Sequence, residues 1–436
     1  MNTLPRLVAL AAIVASSLAT LVVAQPPATA TSTAGSAPAR GGRGGGPGVE
    51  ASVVTAARSP EVNANGTITF RLQSPNAKAV RIITDFPKLG DVPVNGSAGF
   101  DMAKDESGVW SYTSPKLAPS YYQYWFVVDG FSTPDPQNTF VRPASGVYKS
   151  VVAFPGKEAE WMMFRDVPHG NLTEHHYLNS ENKTARRVVI YTPPDYSTSG
   201  KSYPVIYLLH GANDYERGWT QTGMANTIMD NLIADGKAVP AIIVMPFGHD
   251  TTGSTGKLPE VRALQASLGY TPPARGPGGA PAAPGGRGAA PTGQSYMEKD
   301  LLGYVVPYVE KEFRVLKDKH HRAIMGYSMG GGHSTTIGFG HPEVFAHVGG
   351  FSGYANTSSA TITNLLADPA KTNRDYKLIF FGSGTEDTAV NGGRALHAAF
   401  TEKGIKHLWS EDPGYGHDYQ IWRIYFRDLA VRLFRD

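Results

Sequence analysis

A serine framed by glycines is the residue most suited to chemistry in this chain. It is Ser328, within GYSMG at residues 326–330. In the pattern G-x-S-x-G the serine lies on a tight turn from strand to helix, with its hydroxyl exposed above the sheet. The pattern arises easily by chance in a chain with 49 glycines, but here a predicted buried strand at 321–325 precedes it and a helical pattern at 331–339 follows. We therefore predict a nucleophile; the alternative is an ordinary serine on a glycine-rich turn.

A serine nucleophile needs a general base, and the base needs a carboxylate that orients it. The turn PGYGHD at 413–418 carries His417, and FFGSGTED at 380–387 is a predicted buried strand that ends in Glu386 and Asp387. We predict His417 as the base and Asp387 as the acid, with Glu386 as the alternative acid. A surface histidine and a helix-capping carboxylate are the competing interpretations.

The same reaction needs backbone donors for an oxyanion. One donor is expected from Met329, which follows the nucleophile, and the other from Ala212, in the loop that ends YLLHGA at 207–212. Gly211 would allow a close approach there. Four more side chains are candidates for the walls of a substrate pocket or, alternatively, for the core: His210, Trp219, Tyr327 and Trp422.

Elements that could position these residues begin at about 185, where apolar runs alternate with helical patterns. The predicted strands are 187–192, 204–209, 241–245, 323–327, 344–351, 378–381 and 406–410. The predicted helices are 222–235, 297–314, 329–339, 392–403 and 418–434. Apolar strands alternating with helices predict a mostly parallel sheet covered on both faces. Together with the order serine, acid, histidine, this pattern indicates the α/β-hydrolase fold.

The preceding part of the chain has a different pattern, which divides it into segments. Residues 1–24 resemble a signal peptide, and 25–51 are a flexible linker rich in Ala, Pro and Gly. Short apolar runs separated by turn signals at 95–96 and 129–130 predict a small immunoglobulin-like β-sandwich over 52–155. The catalytic domain is then 156–436, with a Gly/Pro-rich insertion at 251–295 for which disorder and a mobile lid are both open.

Composition narrows the possible functions and locations. The chain has no cysteine, which excludes disulfides, thiolate metal sites and a cysteine nucleophile. A net charge of +3 without a basic block gives no reason to expect nucleic acid as a partner. The signal predicts an exported bacterial protein, periplasmic or secreted, with no membrane span in the mature chain; an uncleaved anchor is the alternative.

Two other groups of side chains suggest weaker hypotheses. Aromatic residues alternating along the predicted sandwich strands favour core packing over a sugar-binding face; they are Trp110, Tyr112, Tyr121, Tyr122, Tyr124 and Trp125. Histidines 169, 175 and 176 lack carboxylates at ligand spacing, so we predict no metal site. His333 is expected to be a packing residue behind the nucleophile. No candidate catalytic residue lies within 52–155, so we expect the sandwich to affect stability or attachment to substrate more than bond breaking.

Four ordered blocks give the chain a family resemblance: YLLHGANDYERGW, HRAIMGYSMGGG, FGSGTED and GHDYQIWR. They resemble the esterase D-like family, which includes the feruloyl and acetylxylan esterases of carbohydrate esterase family one, enterochelin esterases and mycolyltransferases. Residues 52–155 are similar to the early-set β-sandwich that precedes such esterases.

The resemblance implies a serine ester hydrolase without metal or organic cofactor, acting on acyl esters of a xylan-type carbohydrate. It also implies Ser328, Asp387 and His417 as the triad, with Ala212 and Met329 at the oxyanion hole. Three alternatives stay open: an acyltransferase using the same acyl-enzyme, a siderophore esterase of the enterochelin type, and an inactive carbohydrate-binding protein.

Overall fold

The computed structural model describes residues 58–86, 98–144, 146–179, 184–249 and 295–435. The predicted signal peptide, the linker, the turn at 95–96 and all of the insertion except its last residue lie outside these ranges. The described residues all belong to one compact unit. Within those ranges, no helix has the length and apolar character needed to cross a bilayer. The predicted domain limits stay predictions.

The first part of this unit is a sandwich of antiparallel strands. Its strands are β1 (Glu61–Val62), β2 (Ile68–Gln73), β3 (Val80–Thr84), β4 (Ala98–Asp101), β5 (Ala103–Lys104), β6 (Val109–Thr113), β7 (Ser120–Val128), β8 (Phe131–Thr133), β9 (Val141–Ala144) and β10 (Val147–Phe154). Over the described residues, one sheet has the order β1-β2-β6-β5. The other has the order β4-β3-β7-β10-β9, with β8 beside β7.

Alternation of apolar residues explains why these strands form two facing sheets. Ile68 and Phe70 of β2 are fully buried, and the Phe70 ring lies 4.6 Å from that of Tyr124 on β7. Four of the six aromatic residues considered for a sugar-binding face are buried in the core, which leaves them no free face: Trp110, Tyr121, Tyr122 and Tyr124.

An eight-stranded sheet, counted over the described ranges, forms the second part. Its strands are β11 (Asn171–Asn179), β12 (Thr184–Thr192), β13 (Val205–Leu209), β14 (Ile242–Pro246), β15 (Arg322–Tyr327), β16 (His347–Phe351), β17 (Leu378–Gly384) and β18 (Leu408–Asp412). The order is β11-β12-β14-β13-β15-β16-β17-β18, parallel from β14 to β18. At the other edge, β12 pairs antiparallel with both β11 and β14.

Helices cover both faces of this sheet. They are α1 (Tyr196–Ser199), α2 (Gly218–Gln221), α3 (Ala225–Ala234), α4 (Tyr296–Asp300), α5 (Val306–Glu312), α6 (Met329–Gly340), α7 (Ala360–Ala367), α8 (Pro369–Asp375), α9 (Val390–Glu402) and α10 (Tyr419–Ala430). A π-helical turn, Leu301–Val305, joins α4 to α5, and short 3-10 helices span Lys157–Ala159 and Lys319–His321. Separate apolar cores lie on the two sides of the sheet. The predicted α/β-hydrolase architecture is confirmed.

Local differences from the predicted elements have physical reasons. Strand β11 and helices α7 and α8 were not predicted, because β11 is a mostly exposed polar edge strand and the two helices are short. The strand predicted over 344–351 begins only at His347, since Val344 and Phe345 donate to the His341 carbonyl and form a turn.

Helix α10 carries the contact between the sandwich and the large sheet. Gln420 Nε2 and Arg423 Nη2 both donate to the Tyr121 carbonyl of β7, at 2.8 and 2.9 Å. Met162 and Met163 are buried in the apolar core that also contains Trp422 and Tyr425 of this helix, whereas Phe164 is 74% exposed. The sandwich therefore packs against the helix that immediately follows His417.

Candidate active site

Ser328 occupies a strained turn between β15 and α6. Its φ is +55° and its ψ is −120°, a backbone conformation that residues other than glycine rarely adopt. All of β15 is buried, and the Ser328 N–H donates to the Phe351 carbonyl of β16 at 2.8 Å. Such strain persists only where the surrounding structure holds it, and it is frequent at functional sites.

Glycines make this turn possible because backbone from other elements crowds it. A Cβ atom at Gly326 or at Gly330 would lie 2.5 Å from the Leu209 carbonyl oxygen. One at Gly353, after β16, would lie only 1.9 Å from the Ser328 carbonyl oxygen. The glycines of the sequence motif therefore have a steric reason, and Gly353 is a third requirement that the motif does not include.

His417 and Asp387 form a hydrogen-bonded pair at the same edge of the sheet. The Nδ1 atom of His417 lies 3.1 Å from both carboxylate oxygens of Asp387. The Asp387 side chain is fully buried, whereas the His417 side chain is 34% exposed. Burial alone would raise the pKa of Asp387, but hydrogen bonds from His417, Ser352 and the Ala389 N–H outweigh it and lower that pKa. Asp387 is therefore an anion that can orient an imidazole.

Glu386, the alternative acid, is exposed. Its backbone N–H donates to the Tyr415 carbonyl at 3.0 Å, and the preceding Thr385 N–H donates to the Asp412 carbonyl at 2.9 Å. These bonds hold the turn after β17 against the loop that carries His417. The backbone of Glu386 thus positions the turn, and its neighbour Asp387 is the carboxylate that contacts the imidazole.

Ser352 is a supporting residue that sequence reasoning did not find. Like Ser328 it has a positive φ, +52°, and its N–H donates to the Gly382 carbonyl of β17 at 2.8 Å. Its hydroxyl accepts from Trp422 Nε1 at 2.8 Å and hydrogen-bonds Asp387. The available sequence signal was the segment SGY directly after an apolar strand.

The loop after β13 lies directly against Ser328. A Cβ atom at Gly211 would be 2.5 Å from Tyr327 Cε2 and 3.2 Å from Ser328 Cβ, so a glycine is needed for this approach. Gly211 accepts from the Asp214 N–H at 3.2 Å, which closes a turn around Ala212. Met329 is the first residue of α6, and N–H groups in the first turn of a helix have no partner within it. The two predicted oxyanion donors thus belong to segments that meet at Ser328.

The four candidate wall residues are all buried, with different surroundings. His210 accepts from the Gly248 N–H at 2.8 Å, and burial, with the nearby His249, lowers its pKa to about 4, so it is neutral. Trp219 is fully buried and donates to the Leu209 carbonyl at 3.0 Å. Its place is therefore in the core beneath the loop and not in a pocket wall.

Tyr327 and Trp422 connect the turn of Ser328 to His417. Their rings stack with centroids 3.9 Å apart, and the Trp422 ring packs edge-on against the His417 ring at 5.0 Å. Because Tyr327 immediately precedes Ser328, this stack joins the Ser328 turn to the imidazole. Both residues act here as packing support, and each is no more than 4% exposed.

Histidines elsewhere have structural partners. His169 Nδ1 lies 2.9 Å from the Asp230 carboxylate, and His175 Nδ1 lies 3.0 Å from the Tyr308 hydroxyl. The pKa of His333 is lowered to about 4 by burial and then by His249. In the part of the chain that the structure describes, no three His, Asp or Glu side chains are grouped so that they could hold a metal ion.

Comparisons with known proteins agree with this architecture. Residues 56–144 match the family described as carbohydrate-binding module 48 (isoamylase N-terminal domain). An endo-1,4-beta-xylanase/feruloyl esterase of Xylanibacter ruminicola is 28% identical over 384 residues, covering 86% of this chain and 46% of that protein. An esterase of Mycobacterium tuberculosis is 26% identical over 293 residues, covering 56% of each. The chain thus spans about half the length of these curated relatives.

Among solved structures, an enterochelin esterase from Shigella flexneri aligns with a TM-score of 0.57 and 16% identity, over 85% of this chain and 92% of that one. At this identity the likeness shows a shared fold. A family model described as "Putative esterase" matches residues 180–267 and 282–429, more than half of the chain. The protein therefore belongs to this esterase family.

Proposed function

We propose that this protein hydrolyses carboxylic esters through an acyl-enzyme on Ser328. The observation that carries the proposal is the buried Asp387 carboxylate 3.1 Å from His417 Nδ1, at the sheet edge where Ser328 lies on its strained turn. With Nδ1 directed at the carboxylate, Nε2 of His417 is the nitrogen free to accept a proton from the serine hydroxyl.

In this mechanism the Ser328 Oγ attacks the carbonyl carbon of the ester as His417 takes its proton. The tetrahedral oxyanion accepts hydrogen bonds from the N–H groups of Met329 and Ala212. The C–O bond to the alcohol then breaks, and His417 returns the proton to the leaving oxygen. A water molecule, deprotonated by His417, hydrolyses the acyl-enzyme and releases the acid, while Asp387 stabilises the imidazolium in both steps.

For the substrate we propose acyl groups carried on a carbohydrate, such as feruloyl or acetyl esters of a xylan-type polysaccharide. Support comes from the relative named as a xylanase/feruloyl esterase and from the match of 56–144 to a carbohydrate-binding module. An exported location would suit a polymeric substrate, and it stays part of this proposal. No cofactor enters the proposed reaction.

A panel of esters tests the proposal: nitrophenyl acetate, methyl ferulate, acetylated xylan and enterobactin. Wild-type protein should release acid from the first three, and intact-mass spectrometry should detect an acyl adduct that is absent from Ser328→Ala. Preference for enterobactin would favour the siderophore alternative, and transfer to added sugars in place of hydrolysis would favour an acyltransferase. No turnover and no adduct with any ester would refute the enzyme hypothesis and favour a binding protein.

A further inference from the structure

The buried carboxylate of Asp214 lies beneath the candidate site, and Asp214 is not one of the proposed catalytic residues. Asp214 Oδ2 accepts from the hydroxyls of Tyr327 at 2.6 Å and Tyr419 at 2.7 Å. Its Oδ1 accepts from the Tyr215 N–H at 2.9 Å and from Arg142 Nη1 at 2.6 Å. The side chains of Asp214 and Arg142 are 5% and 4% exposed, so the pair is shielded from water.

These contacts join three parts of the proposed machinery. Asp214 closes the turn that contains Ala212, Tyr327 immediately precedes Ser328, and Tyr419 follows His417 by two residues. A shift of the Asp214 carboxylate would therefore move an oxyanion donor, the nucleophile and the base relative to one another.

Arg142 comes from a different part of the molecule. It lies on β9 of the sandwich, and its Nε donates to Gln123 Oε1 of β7 at 2.8 Å. Gln123 is itself fixed by Asp85, which accepts from its backbone N–H at 2.7 Å and from its Nε2 at 2.8 Å. A chain of buried hydrogen bonds thus runs from inside the sandwich to the segment that carries the nucleophile.

Charge balance makes Arg142 necessary to this arrangement. Burial by itself would raise the pKa of Asp214, but the Arg142 charge and the tyrosine hydroxyls outweigh it and keep that pKa low. Removing one partner of a buried ion pair leaves an uncompensated charge, which destabilises the protein or forces a rearrangement. Without Arg142, the carboxylate would take up a proton or draw in water, and the two tyrosines would lose their fixed acceptor.

We propose that Arg142 of the β-sandwich is a positioning residue for the esterase site, acting through Asp214 on the nucleophile, the base and the oxyanion turn. The inference rests on the proposed function. It differs from our expectation that the sandwich affects stability or attachment to substrate more than bond breaking. The sandwich completes the active site, and its contribution reaches small substrates that a carbohydrate-binding surface would not affect.

The full-length protein and three variants test this inference: Arg142→Met, Asp214→Asn and the double variant. The substrate is nitrophenyl acetate, and the readouts are kcat, KM, Tm and the rate at which a fluorophosphonate labels Ser328. Arg142→Met should lower kcat by about ten- to a hundredfold with little change in KM, because small displacements of reacting groups have effects of this size. Labelling of Ser328 should slow in parallel.

The double variant separates positioning from simple loss of stability. Arg142→Met with Asp214→Asn removes both charges, and the amide oxygen can still accept from Tyr327 and Tyr419, so kcat should recover by at least about fivefold over the single Arg142 variant. Arg322→Met is the matched control. Arg322 is a buried arginine that pairs with Glu310 at the opposite end of β15, so this change should lower Tm and leave kcat unchanged.

Retention of wild-type kcat in a folded Arg142→Met protein with lowered Tm would overturn the inference, and so would a double variant no better than the single one. If Arg142→Met is insoluble, Arg142→Lys provides the same test, since lysine keeps the charge but lacks the guanidinium group that also donates to Gln123. Failure of the proposed function gives a different result, in which wild type is inactive or Ser328→Ala keeps its activity. In that case the proposed positioning role of Arg142 is refuted together with the proposed function.

Discussion

Replacing Asp387 by asparagine tests the acid–base pair most directly. The change keeps the size of the side chain and its place in the buried turn, but it removes the negative charge 3.1 Å from His417 Nδ1. An amide can also present its NH₂ group to Nδ1, which favours the wrong imidazole tautomer. Since burial opposes ionisation of Asp387 and the pKa is nevertheless lowered, the lost interaction with His417 is a strong one.

The expected loss is large. In a serine triad the corresponding change costs roughly 10⁴-fold in kcat, which corresponds to about 5.5 kcal/mol of transition-state stabilisation. We expect Asp387→Asn to approach this value, because the carboxylate is fully buried and both of its oxygens lie at hydrogen-bonding distance from the ring. The assay is kcat/KM for nitrophenyl acetate at neutral pH, with circular dichroism and Tm to confirm folding.

Glu386→Gln is the matched control, since it makes the same chemical change one residue away on an exposed side chain. It should alter kcat/KM by no more than about twofold, because surface substitutions usually change free energies by about 0.5 kcal/mol or less. A greater loss in Glu386→Gln than in Asp387→Asn would reverse the two roles. A folded Asp387→Asn protein with more than about a tenth of wild-type kcat/KM would refute the pairing argument itself.

Three further predictions concern the nucleophile, pH and the glycines. Ser328→Ala should lose about 10⁴-fold or more of ester hydrolysis with Tm preserved; turnover near wild type would exclude Ser328 as nucleophile. Burial and the nearby Asp85 raise the pKa of Asp418 from 3.8 to about 6. The folded protein therefore binds the proton on this carboxyl more tightly than the unfolded chain does. The stability that comes from this protonation is present near pH 4 and is lost as the pH rises through about 6. Asp418→Asn should therefore gain up to about 3 kcal/mol over wild type at neutral pH and nothing near pH 4, and melting curves that keep a constant gap across this range would contradict the assignment. Gly353→Ala should lower Tm sharply, because its Cβ would lie 1.9 Å from the Ser328 carbonyl oxygen. Gly332→Ala, in helix α6, should raise the free energy of unfolding by up to about 1 kcal/mol, because its Cβ would lie 3.9 Å from the Tyr354 carbonyl oxygen. Equal Tm changes in the two variants would refute the steric argument.

Local patterns in the sequence were sufficient for the architecture and for the candidate residues. Apolar runs alternating with helical stretches predict a covered parallel sheet, because each strand of such a sheet is buried on both faces. The carboxyl ends of these strands meet at one edge, so residues that follow them, Ser328, Asp387 and His417, could be expected to assemble there. Edge strand β11 escaped prediction because most of its residues are exposed and polar, so its few apolar residues form no alternating pattern.

Choices between neighbouring residues needed the tertiary structure. The sequence favoured Asp387 as the acid but left Glu386 as the alternative, and only the path of the turn after β17 buries Asp387 and exposes Glu386. Trp219, a candidate for a pocket wall, is enclosed in the core because α2 folds back beneath the loop after β13. Burial depends on what packs above a residue, and that information lies in distant segments.

The contacts that support the site are also beyond local reasoning. Arg142 and Asp214 are 72 positions apart in the chain, and Ser352 and Trp422 are 70 apart. Residue type and spacing along one segment cannot predict such pairs, because each requires two separately formed elements to meet. The sequence by itself thus determined which groups could do the chemistry, whereas the packing of the sandwich, loops and sheet decided which groups hold them in place.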